Sequence, residues 1–196
     1  MENYRLEGKT FVIDDYDRLP AFSSFLPGLA GVKGIPMWTF YTNRGQGMNS
    51  FGIDNKGNAI MEFNSANTAF ENTQVKGFRT FLKIDGEYYE PFFTYEKEAK
   101  RQMRMNKNSF KIIETNEKYG IEVTVNYYVL PNESIGALVR QVSVKNIGDS
   151  AKEVQVIDGL PKIITYGIAN GEFKEMSNLF KSWADIRNLE NKVPYY

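Results

Sequence analysis

The sequence predicts a mainly all-β chain: an antiparallel β-sandwich of packed sheets with one C-terminal helix. Three observations predict it. From Ile35 to Phe93, short runs rich in aromatic and β-branched residues are separated by Gly, Asn and Asp clusters. That is the pattern of successive antiparallel strands joined by tight turns. Ile121, Val123, Val125, Tyr127 and Val129 alternate with Glu122, Thr124, Asn126 and Tyr128, a period of two that belongs to a half-buried strand. Phe173, Met176, Leu179, Phe180 and Trp183 recur at intervals of three and four, the spacing of a helical face.

Taken in order, Lys9–Ile13 forms a first strand, followed by Asp14, Asp15 and Asp17. The three acids invite a metal reading. Their spacing lacks the Gly and distal Glu of a calcium loop, so a solvated acidic turn and no metal are expected. Leu19–Gly34 contains Pro20, Pro27, Gly28, Gly31 and Gly34. Its glycine spacing lacks the preceding parallel strand and following helix of a phosphate cradle. An ordered, partly apolar loop is expected, pinned onto the sheet by Phe22, Phe25 and Leu26. Asn55-Lys56-Gly57 supplies a turn between two strands. Asn64–Lys76 is polar and reads as a long loop, or a loop with a short irregular strand. In Phe78–Ile84, Phe78, Thr80, Leu82 and Ile84 share one face, and Arg79, Phe81 and Lys83 share the other. The aromatic among the charges predicts that both faces are partly covered. Asp85-Gly86 then turns the chain into Glu87–Phe93.

Lys100–Lys111 carries Lys100, Arg101, Arg104, Lys107 and Lys111 and no acid. A nucleic-acid surface needs interleaved aromatics and a basic balance. Here only Phe110 is interleaved, and 24 basic residues face 24 acidic ones. A solvated edge or turn is the expectation. Ser109–Thr115 and Gly120–Leu130 make the clearest hairpin. Pro131-Asn132-Glu133-Ser134 turns the chain into a strand at Ala137–Lys145; after the turn Asn146–Lys152 comes another at Glu153–Ile157. Pro161 ends the run or places it at a sheet edge, and Ile163, Ile164 and Tyr166 continue an apolar segment. The one long helix is expected at about 172–187, behind Asn170-Gly171 as a cap region, packed on a sheet. Asn188–Tyr196 reads as extended, with Pro194 excluding helix.

A chain of 196 residues makes one domain, or one domain with an appendage. The 14 Phe and 12 Tyr suit sheet packing first; aromatic rings also stack on the C–H faces of sugars. With no Cys there are no disulfides and no thiolate metal sites. With no His there is no Ser–His or Cys–His nucleophile pair and no imidazole ligand. Acid–base chemistry could rest only on carboxylates, Lys or Tyr. The N-terminus lacks an apolar core of signal-peptide length, and no apolar run approaches the length of a membrane span. A cytoplasmic protein with neither membrane nor nucleic-acid partners is the expectation.

Several motifs carry a family resemblance. Asn43-Arg44-Gly45-Gln46-Gly47, Ser50-Phe51-Gly52, Ala59-Ile60-Met61-Glu62-Phe63, Gly77-Phe78-Arg79-Thr80-Phe81 and the stretch Ala184–Tyr196 stand in one order. Together they resemble the start of the glycoside phosphorylases of glycoside hydrolase family 94. These include the cellobiose and 1,2-β-oligoglucan phosphorylases, and Gly31–Gly52 leans towards the second. The resemblance runs from about Phe25 to the end.

It implies that residues 1–196 are the N-terminal domain, a large two-sheet β-sandwich, or an incomplete part of it, and that a helical (α/α)6 catalytic barrel lies outside this chain. Such enzymes are glycosyltransferase-type phosphorylases. They cleave a β-glucosidic bond with inorganic phosphate and release α-glucose 1-phosphate with inversion. Phosphate is a co-substrate and no cofactor is implied. The family's general acid lies in the barrel, so no residue here inherits a catalytic role, and the chain alone is expected to be inactive. The implied partners are the barrel of the same polypeptide, β-glucan and a homo-oligomer. Arg44 and Gln46, in the Gly-rich turn, are the candidate sugar-binding residues. The abrupt Val-Pro-Tyr-Tyr ending leads us to expect an N-terminal fragment. A freestanding carbohydrate-binding or protein-interaction sandwich is the alternative.

Overall fold

Hairpins dominate the chain because Gly, Asn and Asp take the turn positions between alternating apolar runs. The computed structural model describes residues 3–93, 98–165, 167–183 and 185–192. Strands β1 (Tyr4–Glu7) and β2 (Thr10–Asp14) form the first hairpin. A meander follows: β3 (Ser23–Ala30), β4 (Ile35–Thr42), β5 (Met48–Ile53) and β6 (Ala59–Met61). Helix α1 (Ala66–Lys76) leads into β7 (Arg79–Ile84) and β8 (Glu87–Tyr89). Then come β9 (Lys100–Met105), β10 (Ser109–Asn116), β11 (Ile121–Val129), β12 (Leu138–Asn146) and β13 (Val154–Gly159), and finally α2 (Asn170–Trp183).

Three antiparallel sheets result. The first has six strands in the order β1-β2-β9-β10-β11-β12. The second has four, β3-β4-β5-β6, and the third three, β13-β7-β8. One core joins them. Phe110, Ile112, Ile121, Val123, Val125 and Tyr127 from the six-stranded sheet meet Leu26, Tyr41 and Met48 of the second sheet and Leu82, Ile84 and Tyr89 of the third. The sandwich is therefore one broad layer facing two narrower ones. The Phe110 ring stacks 4.7 Å from Tyr41 across the layers and 5.5 Å from Tyr127 on the neighbouring strand.

The hairpins lie where alternation places them. Register pairs Ile112 with Val125 and Phe110 with Tyr127, so every second residue of β10 and β11 enters the core. Asp85 and Gly86 both take positive φ, at 49° and 94°, which makes the tight turn from β7 to β8. Thr80, Leu82 and Ile84 are buried, while Phe81 on the other face stays 38% exposed under the Arg79 guanidinium, 4.6 Å from its ring centroid.

Five expectations are corrected. The loop foreseen across Leu19–Gly34 contains β3, an edge strand, where the missing N–H of Pro27 costs no ladder bond. Within it Leu26 is buried, Phe22 packs against the core, and Phe25 stands 52% exposed. The loop foreseen at Asn64–Lys76 is mostly α1, so α2 is not alone as a long helix. Its packed face is small and polar: Ala69 and Thr73 are buried, and Thr73 accepts a hydrogen bond from Thr42 of β4. The basic run opening at Lys100 is not an edge, since β9 lies between β2 and β10 with Arg101 and Met103 turned inward. The acidic turn is only partly solvated, because Asp17 is buried in an ion pair with Arg101. The tail foreseen as extended turns at Leu189–Asn191, between Asn188 and Lys192 at φ 61° and 57°; Tyr166, Ala184 and residues 193–196 lie outside the described residues.

Helix α2 divides its apolar stripe. Met176 takes φ −116° and ψ 20°, a kink that breaks the single face. Phe173 is buried and Phe180 packs beside it with Trp38 and Phe63, while Met176, Leu179 and Trp183 stay exposed at 38%, 43% and 64%. Asn170 begins the helix rather than preceding it. Its Oδ1 accepts from the Phe63 N–H at 3.0 Å, and Glu172 takes the capping part by accepting from the Ala169 N–H. No described helix is long and apolar enough to cross a membrane.

Candidate functional site

The Gly-rich turn between β4 and β5 runs from Asn43 to Gly47, and its first side chain fixes it. The amide of Asn43 donates to the carbonyls of Tyr16 and Pro20 at 2.9 and 3.0 Å and accepts from the Phe22 N–H. Tyr16 donates to the Gly45 carbonyl at 2.7 Å. Gly47 sits at φ +79°, and a Cβ there would fall 2.2 Å from Cζ of Phe110. Only glycine fits both the backbone and that contact.

Arg44 and Gln46 point to different surroundings. Arg44 donates to the carbonyls of Asn43 and Leu19 at 2.7 and 3.1 Å, with its guanidinium 6.0 Å from the Phe70 ring. Gln46 is 3% exposed. Its Nε2 donates to Thr80 Oγ1 at 3.0 Å, its Oε1 accepts from Arg140, and its carbonyl accepts from Tyr127 at 3.1 Å. Thr80 donates to Asp158, which also pairs with Arg140. The Arg140 guanidinium lies 4.9 Å over the Phe78 ring. One polar network thus joins all three sheets: Gln46 from the second, Tyr127 and Arg140 from the first, Thr80 and Asp158 from the third. Burial pushes the Tyr127 phenol up to about 12.

A second buried cluster holds the deepest carboxylate. Glu114 on β10 is 1% exposed. It accepts from Arg101 Nε at 2.5 Å, from the Phe92 N–H at 2.7 Å and from the Tyr89 hydroxyl. Arg101 also pairs with Asp17 and donates to the Phe93 carbonyl. Burial raises the Glu114 pKa against the pull of Arg101; burial, then the Glu114 charge, raises Tyr89. For Arg101 the neighbouring acids outweigh the lowering effect of burial, and its pKa rises. Arg101 and Glu114 are both walled off from solvent, so the cluster is built for position rather than for proton exchange with a substrate. No group of three or more acids among the described residues is arranged to hold a metal ion.

An open cleft of about 330 Å³ lies beside α1. Asn49, Met61, Glu62 and Asn64 from β5, β6 and the loop after it line one part. Asn72, Val75 and Lys76 of α1 line another, and Pro161–Ile164 with Phe173 close it. Lys162 lies 3.3 Å from Glu62 and 4.2 Å over the Phe173 ring, which cancels one charge pair within the wall. Asn49 is 2% exposed; its Nδ2 donates to the Ala69 carbonyl and to Thr73 Oγ1, both at 3.3 Å, and its Oδ1 has no protein partner among the described residues. Reading the sequence singled out none of these asparagines. The signal was Asn72, Val75 and Lys76 at i, i+3 and i+4, which share a face only once α1 is a helix.

A scan of protein-family models and a search of curated proteins return no match for this chain.

Proposed function

We propose that this chain is a non-catalytic N-terminal β-sandwich of an inverting glycoside phosphorylase, of the 1,2-β-oligoglucan or cellobiose type, that supports a helical catalytic barrel and the oligomer. The observation that carries the reading is the exposure of large apolar side chains on the last elements of the fold, which adds to that of Leu6, Leu29, Val32 and Tyr88 earlier in the chain. β13 ends its sheet, and Val156 and Ile157 on it are 50% and 74% exposed. Its neighbour across the sandwich, β12, ends the six-stranded sheet, and Arg140 of β12 meets Asp158 of β13 there. Later in the chain, on the separate α2, Met176, Leu179 and Trp183 are also uncovered. Surface of this kind marks a place where another body of protein packs.

The interior agrees with a supporting role. Among the described residues the fully buried acid, Glu114, is matched to Arg101, and the motifs that carry the resemblance serve the frame: Gln46 ties the sheets, and Arg44 ties the turn to the Leu19 carbonyl. On this reading the general acid and the phosphate site belong to the barrel, and inorganic phosphate is the co-substrate there.

The test is phosphate release from α-glucose 1-phosphate with sophorose or glucose as acceptor. The 196-residue chain alone is expected to release none. In a polypeptide that continues into a barrel, release is expected, and Ile157→Lys with Trp183→Lys should lower it by loosening the packing. Turnover by the purified chain alone overturns the proposal.

A further inference from the structure

We propose that β13 pairs edge to edge with the β13 of a second copy of this chain, antiparallel across a two-fold axis, so that two three-stranded sheets run on as one. β13 ends its sheet, with β7 on one side of it. The other outer strands are guarded against such pairing. β1 and β12 carry Arg5 and Lys145, β3 holds Pro27, and β6 and β8 are three residues long. β13 reads Val-Gln-Val-Ile-Asp-Gly, with neither Pro nor a basic residue. Its acid, Asp158, is taken up by Thr80 and Arg140 of the same chain.

The backbone shows which groups stand open. The Glu153 N–H donates to Asp85 Oδ1 at 2.9 Å, and the Glu153 carbonyl accepts from the Asp85 N–H at 3.0 Å. Both groups of Glu153 therefore face the β7 side. An antiparallel ladder alternates, so Gln155 and Ile157 also turn to β7, while Val154, Val156 and Asp158 turn their N–H and C=O outward. Those outward residues are self-complementary. With Val156 on the two-fold axis it lies opposite its own copy, and Val154 lies opposite Asp158, each such pair exchanging two hydrogen bonds. A shift of two residues in either direction puts Val154 or Asp158 opposite a residue outside the strand. In the centred register Asp158 faces Val154 and not a second Asp158.

The side chains agree. Val156 shares the face of its partner Leu82, which is buried, yet Val156 is 50% exposed because no strand lies beyond β13. On the axis it packs against its own copy. On the other face Ile157, 74% exposed, stands beside Phe81 of β7 and reaches the second Ile157 diagonally across the seam. An apolar strip thus crosses the joint from one Phe81 to the other.

The inference does not rest on the phosphorylase reading, since it uses the strand alone. Hydrogen exchange on the full chain at low and high protein concentration, with sedimentation alongside, tests it. Raising the concentration should produce a dimer and slow exchange at the N–H groups of Val154, Val156 and Asp158 about tenfold. Gln155 and Ile157, already bonded to β7, should keep their rates. Val156→Pro removes an outward N–H and no bond to β7, so it should abolish the dimer and leave the fold. A thermal melt checks the fold, and Ile157→Lys decides the matter if that variant unfolds. Ile157→Lys sets like charges across the seam and should weaken association by about fivefold. A chain that stays monomeric at every concentration, protection that ignores the alternation, or a dimer indifferent to both substitutions overturns the proposal.

Discussion

Replacing Arg101 with Met tests whether the buried acids belong to the frame. The substitution keeps much of the side-chain volume and removes the charge. It leaves Glu114 with the Tyr89 hydroxyl and the Phe92 N–H but no cation, and it strips Asp17 of its ion-pair partner. Removing one partner from a buried ion pair costs about 3–5 kcal/mol. Two carboxylates are stranded here, so the upper end, about 5 kcal/mol, is expected. Glu114→Leu should cost less, about 3 kcal/mol, because Arg101 keeps Asp17 and the Phe93 carbonyl. The double variant should fall short of the sum by about 1–3 kcal/mol, since the second substitution removes a group the first has already left unpaired. Urea denaturation at constant slope reads these differences. In a chain of this size they lower Tm by roughly 6–20 °C for the single variants. An Arg101→Met variant that melts within about 2 °C of the parent refutes the structural reading. So do single losses that simply add, and Glu114 would then be a carboxylate free for chemistry.

Three further outcomes are expected. Gly47→Ala puts a Cβ 2.2 Å from Phe110 at φ +79°. It should cost about 2–5 kcal/mol from left-handed strain plus overpacking, and an unchanged urea midpoint would refute that contact. Tyr127 holds its proton to about 12 in the folded chain and releases it near 10.0 when unfolded, so its contribution is intact below pH 10.0 and lost as pH rises through 12. The loss is about 3 kcal/mol, with buried Tyr16 acting in the same direction. Tyr127→Phe should flatten the fall in urea midpoint across that interval, and an equal fall in the variant would contradict the assignment. Sedimentation of the chain should show concentration-dependent association, which Ile157→Lys should reduce; a parent that stays monomeric at every concentration argues against an interacting edge at β13.

The hairpins were legible because each of their signals was local. β10 and β11 alternate without a break, and Asp85-Gly86 is a turn whatever lies around it. What escaped depended on neighbours. α1 has an Asn- and Thr-rich sequence with no apolar stripe, and Ala69 and Thr73 become a packing face only because Asn49 and Thr42 come up beneath them. β3 carries Pro and Gly in places that would break a central strand, and an edge position makes them harmless. Arg101 read as one more member of a basic run because Asp17 and Glu114, the acids that pair with it, arrive from the turn at Tyr16–Arg18 and from β10. The same holds for the functional residues. Gln46 was visible as part of a motif, yet the groups that claim it, Thr80 and Arg140, lie on separate sheets. The cleft asparagines meet only after a helix unseen in the sequence has formed.

The strand order also sets a schedule for synthesis. β7 emerges with β8 as its only partner, and its other edge waits for β13. About seventy residues separate Ile84 from Val154, its partner in the ladder. A ribosome takes roughly 4–14 s to cover that distance. For that interval the nascent chain presents an open backbone edge beside Leu82 and Ile84, which are buried once folding ends. Closure of the third sheet, and with it the Thr80–Asp158 link, is thus a late and non-local event in the folding of this chain. Expression conditions that slow translation across residues 85–153 lengthen the exposure, and chaperones in excess should raise the yield of folded protein more for this chain than for a sandwich whose sheets close in sequence order.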